Sequence, residues 1–245
     1  MAGEQLDEAF VGYSGIYGDR IYAFTKAEAP AFFPYFTGRD KQAMLLYKPR
    51  FRNPEQVTQP VSWAEGEAIS IGLRPVFGSQ QELAVEVQAP SGEVFAIDSP
   101  ELASLLGEST DTSGLSLCHS ERALTDARPI SLISSQTLQQ LSDEIGEAVD
   151  ERRFRANIYV SFDTLQGFSE DDFIGRTLCL GDKVRISVVE RDPRCEMITF
   201  DPDTGGSNPA ILRQVVKAHN AEAGVYAAVL VEGVVKAGDS IALLD

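Results

Sequence analysis

Apolar residues in this chain come in short runs, each closed within a few residues by Gly, Pro, Asp or Ser, and this pattern limits the fold more than any other feature. Runs of that length suit strands joined by turns and leave little room for long helices. Ile21-Tyr22-Ala23-Phe24 follows the turn Gly18-Asp19-Arg20, and Ala43-Met44-Leu45-Leu46-Tyr47 is another apolar run in a stretch that reads as β-rich to about residue 100. Residues 83–88 and 94–97 flank Ala89-Pro90-Ser91-Gly92, which predicts a hairpin. Residues 130–133, 154–162, 178–189 with a turn near Gly181-Asp182, 225–231, 234–235 and 241–244 read as further strands. Residues 108–120, rich in Ser, Thr and Asp, read as a loop.

Helix signals are few and well separated. Ser99-Pro100-Glu101 offers an N-cap and a proline at the first helical position, ahead of Leu102, Leu105 and Leu106. Ser134-Ser135-Gln136-Thr137 precedes Leu138, Leu141 and Ile145, and Asn208-Pro209 precedes Ile211, Leu212, Val215 and Val216 on one face. Many short strands with a few separate helices predict a β-rich α+β protein built on a barrel-like core.

Charge narrows the partners. The chain has 245 residues and a formal net charge of −16, which opposes nucleic acid and anionic membrane surfaces. No apolar run approaches the roughly 20 residues that span a bilayer. The acidic start Met1-Ala2-Gly3-Glu4 lacks the basic-then-apolar pattern of a secretory signal. Three scattered cysteines make no disulfide framework, so a cytoplasmic, reduced setting is expected. Residues 151–200 depart from the acidic trend: eight basic residues, seven of them Arg, face nine acidic ones. For any single Arg the ordinary reading is a solvated ion pair, but the concentration marks a local anion site.

The chemistry centres on Arg191-Asp192-Pro193-Arg194-Cys195-Glu196, at the end of a β run and just before the turn-rich Asp201-Pro202-Asp203-Thr204-Gly205. Fixed positive charge favours the thiolate, the form that binds metals and attacks electrophiles. A lone Cys is more often a small buried hydrophobe. Against that stand Arg191 and Arg194 beside it, with Arg152, Arg153, Arg155 and Asn157 on a preceding strand. Other motifs are weak or absent. Two His and no Cys-x-x-Cys exclude a zinc pattern. Cys118-His119 are extended-chain neighbours that face opposite sides. Gly12, Gly15 and Gly18 do not make a dinucleotide fingerprint. The loop from Asp201 lacks the acidic twelfth position of a calcium site, where Leu212 stands.

Taken together, Phe154-Arg155-Ala156-Asn157-Ile158, Phe173-Ile174-Gly175-Arg176, Leu180-Gly181-Asp182, Pro193-Arg194-Cys195, Thr199 with Asp201-Pro202-Asp203-Thr204-Gly205, Gly224-Val225-Tyr226 and Lys236-Ala237-Gly238-Asp239 resemble the MOSC domain, named after the C-terminal part of molybdenum cofactor sulfurases. The resemblance covers roughly residues 105–245. Residues 10–98, with Gly18-Asp19-Arg20, resemble the β-rich N-terminal domain that often precedes it, so residues 1–104 and 105–245 are expected as two domains. The layout is most similar to the amidoxime-reducing branch. The resemblance implies a MOSC β-barrel with peripheral helices, with Cys195 as the ligand to molybdenum of the molybdopterin cofactor and as the catalytic centre. It implies that Arg20, Arg155 and Asn157 hold the pterin and its phosphate, with Ser134, Arg194 and Tyr226 as further cofactor contacts. Molybdenum accepts soft thiolates and Arg matches phosphate. No pyridoxal phosphate site has a counterpart in this chain. The implied activity is reduction of N-oxygenated small molecules, hydroxylamines or amidoximes, with electrons from a separate electron-transfer protein; the alternative is a non-catalytic cofactor carrier or sulfur-delivery module. Two departures stand out: the chain starts where a strand ending Tyr-Pro-Val-Lys-Ser would end, and Ala156 replaces a usual Pro.

Overall fold

The computed structural model describes residues 1, 3, 5–30, 32–54, 57, 83–108 and 114–244. Its main element is a six-stranded sheet. The strands are β9 (Ile130–Ser134), β10 (Ile158–Val160), β11 (Thr177–Leu180), β12 (Val184–Pro193), β13 (Glu222–Val231) and β15 (Ile241–Leu244). They lie in the order β10-β9-β13-β12-β11-β15, antiparallel except for β9 and β10. The outer strands β10 and β15 do not pair with each other, so the barrel-like core expected takes the form of a curled half-barrel. Its open side is covered by β1 (Glu8–Gly12), β2 (Gly15–Ile16) and β14 (Gly233–Lys236). Val11 and Val235 from this small sheet pack with Ile130, Leu132, Ile186 and Val225 in one aliphatic core.

β12 and β13 are not in simple register. Besides a shift between Arg185 and Ile186 near the hairpin, the pairing shifts between Val188 and Glu190 and again between Arg191 and Pro193. A bulge adds a residue to one strand and re-aims the side chains that follow. The last shift turns Asp192 into the interior, where its side chain is almost fully buried.

Two halves of the chain share strands. β3 (Tyr22–Lys26) pairs with β4 (Tyr35–Phe36) on one side and with β8 (Leu115–His119) on the other. A third small sheet holds β5 (Lys48–Phe51), β6 (Val85–Gln88) and β7 (Val94–Ala96), the last two forming the predicted hairpin. Strand β8 corrects the loop expected at 108–120; the five residues 109–113 lie outside the described residues. The run at Ala43 is also not a strand. Gln42–Leu46 forms a 3-10 turn that buries Met44 and Leu45 together, which alternation in a strand would not allow.

The three helices expected from the sequence sit where their caps predicted. Ser99 Oγ accepts the Leu102 amide at 3.1 Å to start α1 (Pro100–Gly107). Ser134 Oγ accepts the Thr137 amide at 3.0 Å at the head of α2 (Ser135–Ile145), and Asn208 Oδ1 accepts the Ala210 amide at 3.1 Å at the head of α3 (Pro209–His219). Each such cap satisfies an amide with no partner inside the helix, worth about 1 kcal/mol. Leu138, Leu141, Ile211 and Val215 from α2 and α3 bury against Ile133 of the sheet and against Phe154 of the 3-10 turn Glu151–Phe154. Among the described residues no helix is long and apolar enough to cross a membrane.

Candidate functional site

β12 delivers Arg194 and Cys195 to one rim of the half-barrel, and the two side chains part at once. Arg194 turns inward. Its Nε donates to the Ala223 carbonyl at 2.7 Å, its Nη1 to the Phe154 carbonyl at 2.8 Å, and its plane lies 5.3 Å from the Phe154 ring centroid. Nη2 stands 2.8 Å from Asp192 Oδ2 without a linear hydrogen bond, so the contact is an ion pair rather than a directed bond. Gly224 makes this possible. At φ +78° a Cβ there would stand 2.6 Å from the Leu132 carbonyl and 3.2 Å from Arg194 Nη2.

Burial dominates the electrostatics of this group. It pushes Asp192 up to about 6, against the opposing pull of Arg194 and of the Tyr226 hydroxyl, which bonds the carboxylate. It lowers Arg194, and it raises Tyr226, where Asp192 adds to the effect.

Cys195 goes the other way. It is exposed, and it stands at the N-terminal boundary of the 3-10 turn Glu196–Thr199, where its side chain makes no capping bond. Its Sγ accepts a hydrogen bond at 3.0 Å from Arg39 Nη2, a residue 156 positions earlier. Arg191 instead pairs with Asp171 at 2.7 Å, and Arg194 is committed as described. The cation that hydrogen-bonds the sulfur is therefore neither of these two sequence neighbours but Arg39 of the N-terminal half, and Arg194 reaches Cys195 only through its charge.

A second cluster lies nearby. Arg155 does not sit on a strand as expected. Arg152 and Arg153 belong to a 3-10 turn, Glu151–Phe154, and Arg155 ends it in the left-handed region at φ 54°. Arg20, also left-handed at φ 50°, donates from Nη2 to the Arg155 carbonyl at 2.8 Å and is ion-paired with Asp19. Asn157 holds that carboxylate, with Nδ2 2.8 Å from Asp19 Oδ2, while its Oδ1 accepts from the Ser131 amide and hydroxyl. Asn157 thus orients Arg20 through Asp19. Burial, and then the charge of Arg20, bring the Arg155 guanidinium down to about 10. Arg155 Nη1 donates to the Met1 carbonyl at 2.8 Å, and the excess positive charge of the two half-buried arginines favours an anion near them.

Arg155 also borders a cavity of about 310 Å³ shared with Lys48, Arg50, Arg152, Arg153 and Met197. Arg153 is anchored to the Thr199 carbonyl and to Asp201, both at 2.7 Å. The expected turn at Asp201 is present: its Oδ1 accepts the amides of Asp203 and Thr204.

Arg20, Arg155 and Asn157 therefore lie in one cluster, and Arg194 and Tyr226 share Asp192 beneath Cys195. Ser134 joins neither group. It is fully buried, its hydroxyl is 2.8 Å from Glu170 Oε2, and it caps α2. Ser134, expected as a cofactor contact, uses its hydroxyl inside the protein, toward Glu170 and the Thr137 amide. Arg39 and Asp192 were missed. Nothing local to either residue marks it, since what matters is a contact across the chain and a register shift.

Three comparisons with known proteins accompany this geometry. The MOSC domain profile matches residues 119–242, half of the chain. Mitochondrial amidoxime reducing component 2 of Rattus norvegicus is 40% identical over 85 residues, 35% of this chain and 24% of that protein, so the chain spans about a quarter of that curated relative. Among solved structures, YiiM from Geobacillus stearothermophilus matches with a TM-score of 0.38 and 19% identity over 48% of this chain and 55% of its own. The YUAD protein from Bacillus subtilis matches with a TM-score of 0.44 and 13% identity over 97% of this chain and 85% of its own.

Proposed function

The chain belongs to the MOSC domain family, and from that membership and the rim geometry we propose that it binds the molybdenum–molybdopterin cofactor through Cys195 and reduces N-oxygenated small molecules. The observation that carries this reading is an exposed thiol at a rim that also holds a half-buried cluster of Arg20 and Arg155. Among the described residues there is no group of three or more His, Cys, Asp or Glu that could hold a metal. A metal at Cys195 would then need most of its ligands from a cofactor, which an anionic pterin dithiolene provides. When bound, the cofactor supplies the two-electron chemistry that removes oxygen from nitrogen.

The chain's own residues supply position and charge. Cys195 offers one soft ligand at the rim. Arg20 and Arg155 hold the anionic end of the cofactor with charge-assisted bonds, and Asn157 fixes Arg20 through Asp19. Arg194 and Tyr226 converge on Asp192 and set the backbone that presents the sulfur. The chain spans a quarter of its amidoxime-reducing relative, so the whole reaction, its small-molecule substrate and its electron donor are part of the proposal. We place Cys195 and most of the cofactor-binding residues within residues 105–245, with residues 1–104 as a companion domain that contributes Arg20.

The test is expression in cells that make the cofactor, followed by metal analysis and assay of benzamidoxime reduction with a dye donor. Near-stoichiometric molybdenum and turnover in the native sequence, both lost in Cys195→Ser, are the expected result. Equal molybdenum in the two proteins would overturn the ligand assignment. Bound molybdenum without turnover would favour a cofactor carrier.

A further inference from the structure

The geometry points to Arg39 as a positioning residue that hydrogen-bonds the metal-binding sulfur and tunes the reduction potential of the metal it holds. This rests on the assignment of Cys195 as the ligand.

The contact is not a chance approach of a mobile side chain. Arg39 sits in a turn closed at both ends: the Thr37 amide donates to Asp40 Oδ2 at 2.8 Å, and the Asp40 amide donates to the Thr37 carbonyl at 2.9 Å. Thr37 Oγ1 accepts the Arg39 amide at 3.2 Å. Lys26 on β3 grips Asp40 at 2.5 Å and ties the turn to its sheet. The turn is pressed against the Cys195 segment, since a Cβ on Gly38 would come within 3.2 Å of Met197 Cε. The guanidinium carbon lies 5.8 Å from the Phe33 ring centroid, on its face.

The choice of partner is informative. A guanidinium pairs most strongly with a carboxylate, ideally by two parallel bonds. Asp126 is available, yet its Oδ2 is 3.9 Å from Nη2 while the sulfur is 3.0 Å away. The backbone turn and the Phe33 face thus aim a cation at sulfur in preference to oxygen. A guanidinium carries donors and no acceptor and stays protonated in proteins, so Arg39 presents an N–H to the sulfur.

A charged N–H···S bond draws electron density from a metal-bound thiolate. That stabilises the electron-rich, reduced metal and raises its potential; hydrogen bonding around a ligating sulfur is a recognised lever on redox potential. Arg39 therefore does for this sulfur what an outer-shell partner does for a ligating His. The N-terminal half of the chain thereby gains a direct role at a site whose ligand lies in the C-terminal half.

The test is a redox titration of the purified holo-protein, following the paramagnetic molybdenum signal by electron paramagnetic resonance, with metal content measured on the same samples. Arg39→Leu should retain molybdenum, shift the midpoint potential to more negative values and alter the g-values. Arg39→Lys, which keeps the charge and one donor, should recover most of the shift. Unchanged potential and g-values in a metal-loaded Arg39→Leu protein would overturn this inference alone. A lower melting temperature without a shift in potential would leave Arg39 as packing only, and also overturn it. Absence of molybdenum from the native protein would instead remove the ligand assignment on which the inference stands.

Discussion

Strand β12 has a cysteine–arginine pair at each end, and the two ends behave differently. At the hairpin end Cys179 faces Arg185 across the β11–β12 ladder, with Arg185 Nη1 2.5 Å from Cys179 Sγ. The sulfur is buried, and its thiol donates onward to the Gly181 carbonyl at 3.1 Å. At the other end Cys195 is exposed and accepts from Arg39. A cation beside sulfur is thus common to both ends. What separates them is an onward acceptor and burial at one, and an open face next to buried charge at the other. The half-barrel interior between them is aliphatic, whereas the Cys195 rim holds Asp192 and Arg194 out of water with Arg155 half-buried nearby.

If that contrast is right, the rim carries an electrostatic cost that the hairpin end does not, and pH exposes it most strongly. The Asp192 carboxyl titrates at about 6 in the folded chain, above its ordinary 3.8. As pH falls through 6 the native state takes up a proton that the unfolded chain does not bind until about pH 4. Stability therefore rises as pH falls across that window, by at most roughly 3 kcal/mol, and the gain is lost as pH rises again. Urea unfolding from pH 4 to 7 should show this slope in the native sequence and a flatter one in Asp192→Asn. A slope of equal size in both would show that the rim stores no such charge.

Arg155→Ala sharpens the contrast next. Removing a charge-assisted contact to an anionic cofactor costs about 1.5–3 kcal/mol, or roughly 10- to 100-fold in cofactor affinity, read by competition for released cofactor. Arg185→Ala, at the hairpin end, should leave cofactor affinity unchanged. The smallest effects belong to the sulfurs as packing groups. Cys179→Ala should lower stability by about 1 kcal/mol with no loss of metal, while Cys195→Ala should leave stability within about 0.5 kcal/mol. The reverse pattern in thermal unfolding would break the comparison.

Much of the fold was legible in the sequence because its signals are local. Ser99-Pro100, Ser134 and Asn208-Pro209 mark helix starts through bonds made within three residues. The hairpins at Pro90-Ser91-Gly92 and Gly181-Asp182 follow from turn chemistry in the same way. Strand β8 was hidden because Leu115–His119 is a short strand whose pairing partner, β3, lies some 90 residues earlier. The Arg155 cluster was identified by residue type but placed on the wrong element, since a left-handed φ at a non-glycine residue leaves no mark in the sequence. Arg39 could not be seen at all, because its role depends on docking between two halves of the chain.

Molybdenum X-ray absorption on the holo-protein bears most directly on the central claim, that the exposed Cys195 sulfur is the bond between this protein and the metal. The account predicts a protein-derived sulfur scatterer in the native sequence, replaced by a lighter oxygen scatterer or accompanied by metal loss in Cys195→Ser, and unchanged in Cys179→Ala. Identical spectra for the native protein and Cys195→Ser would contradict it.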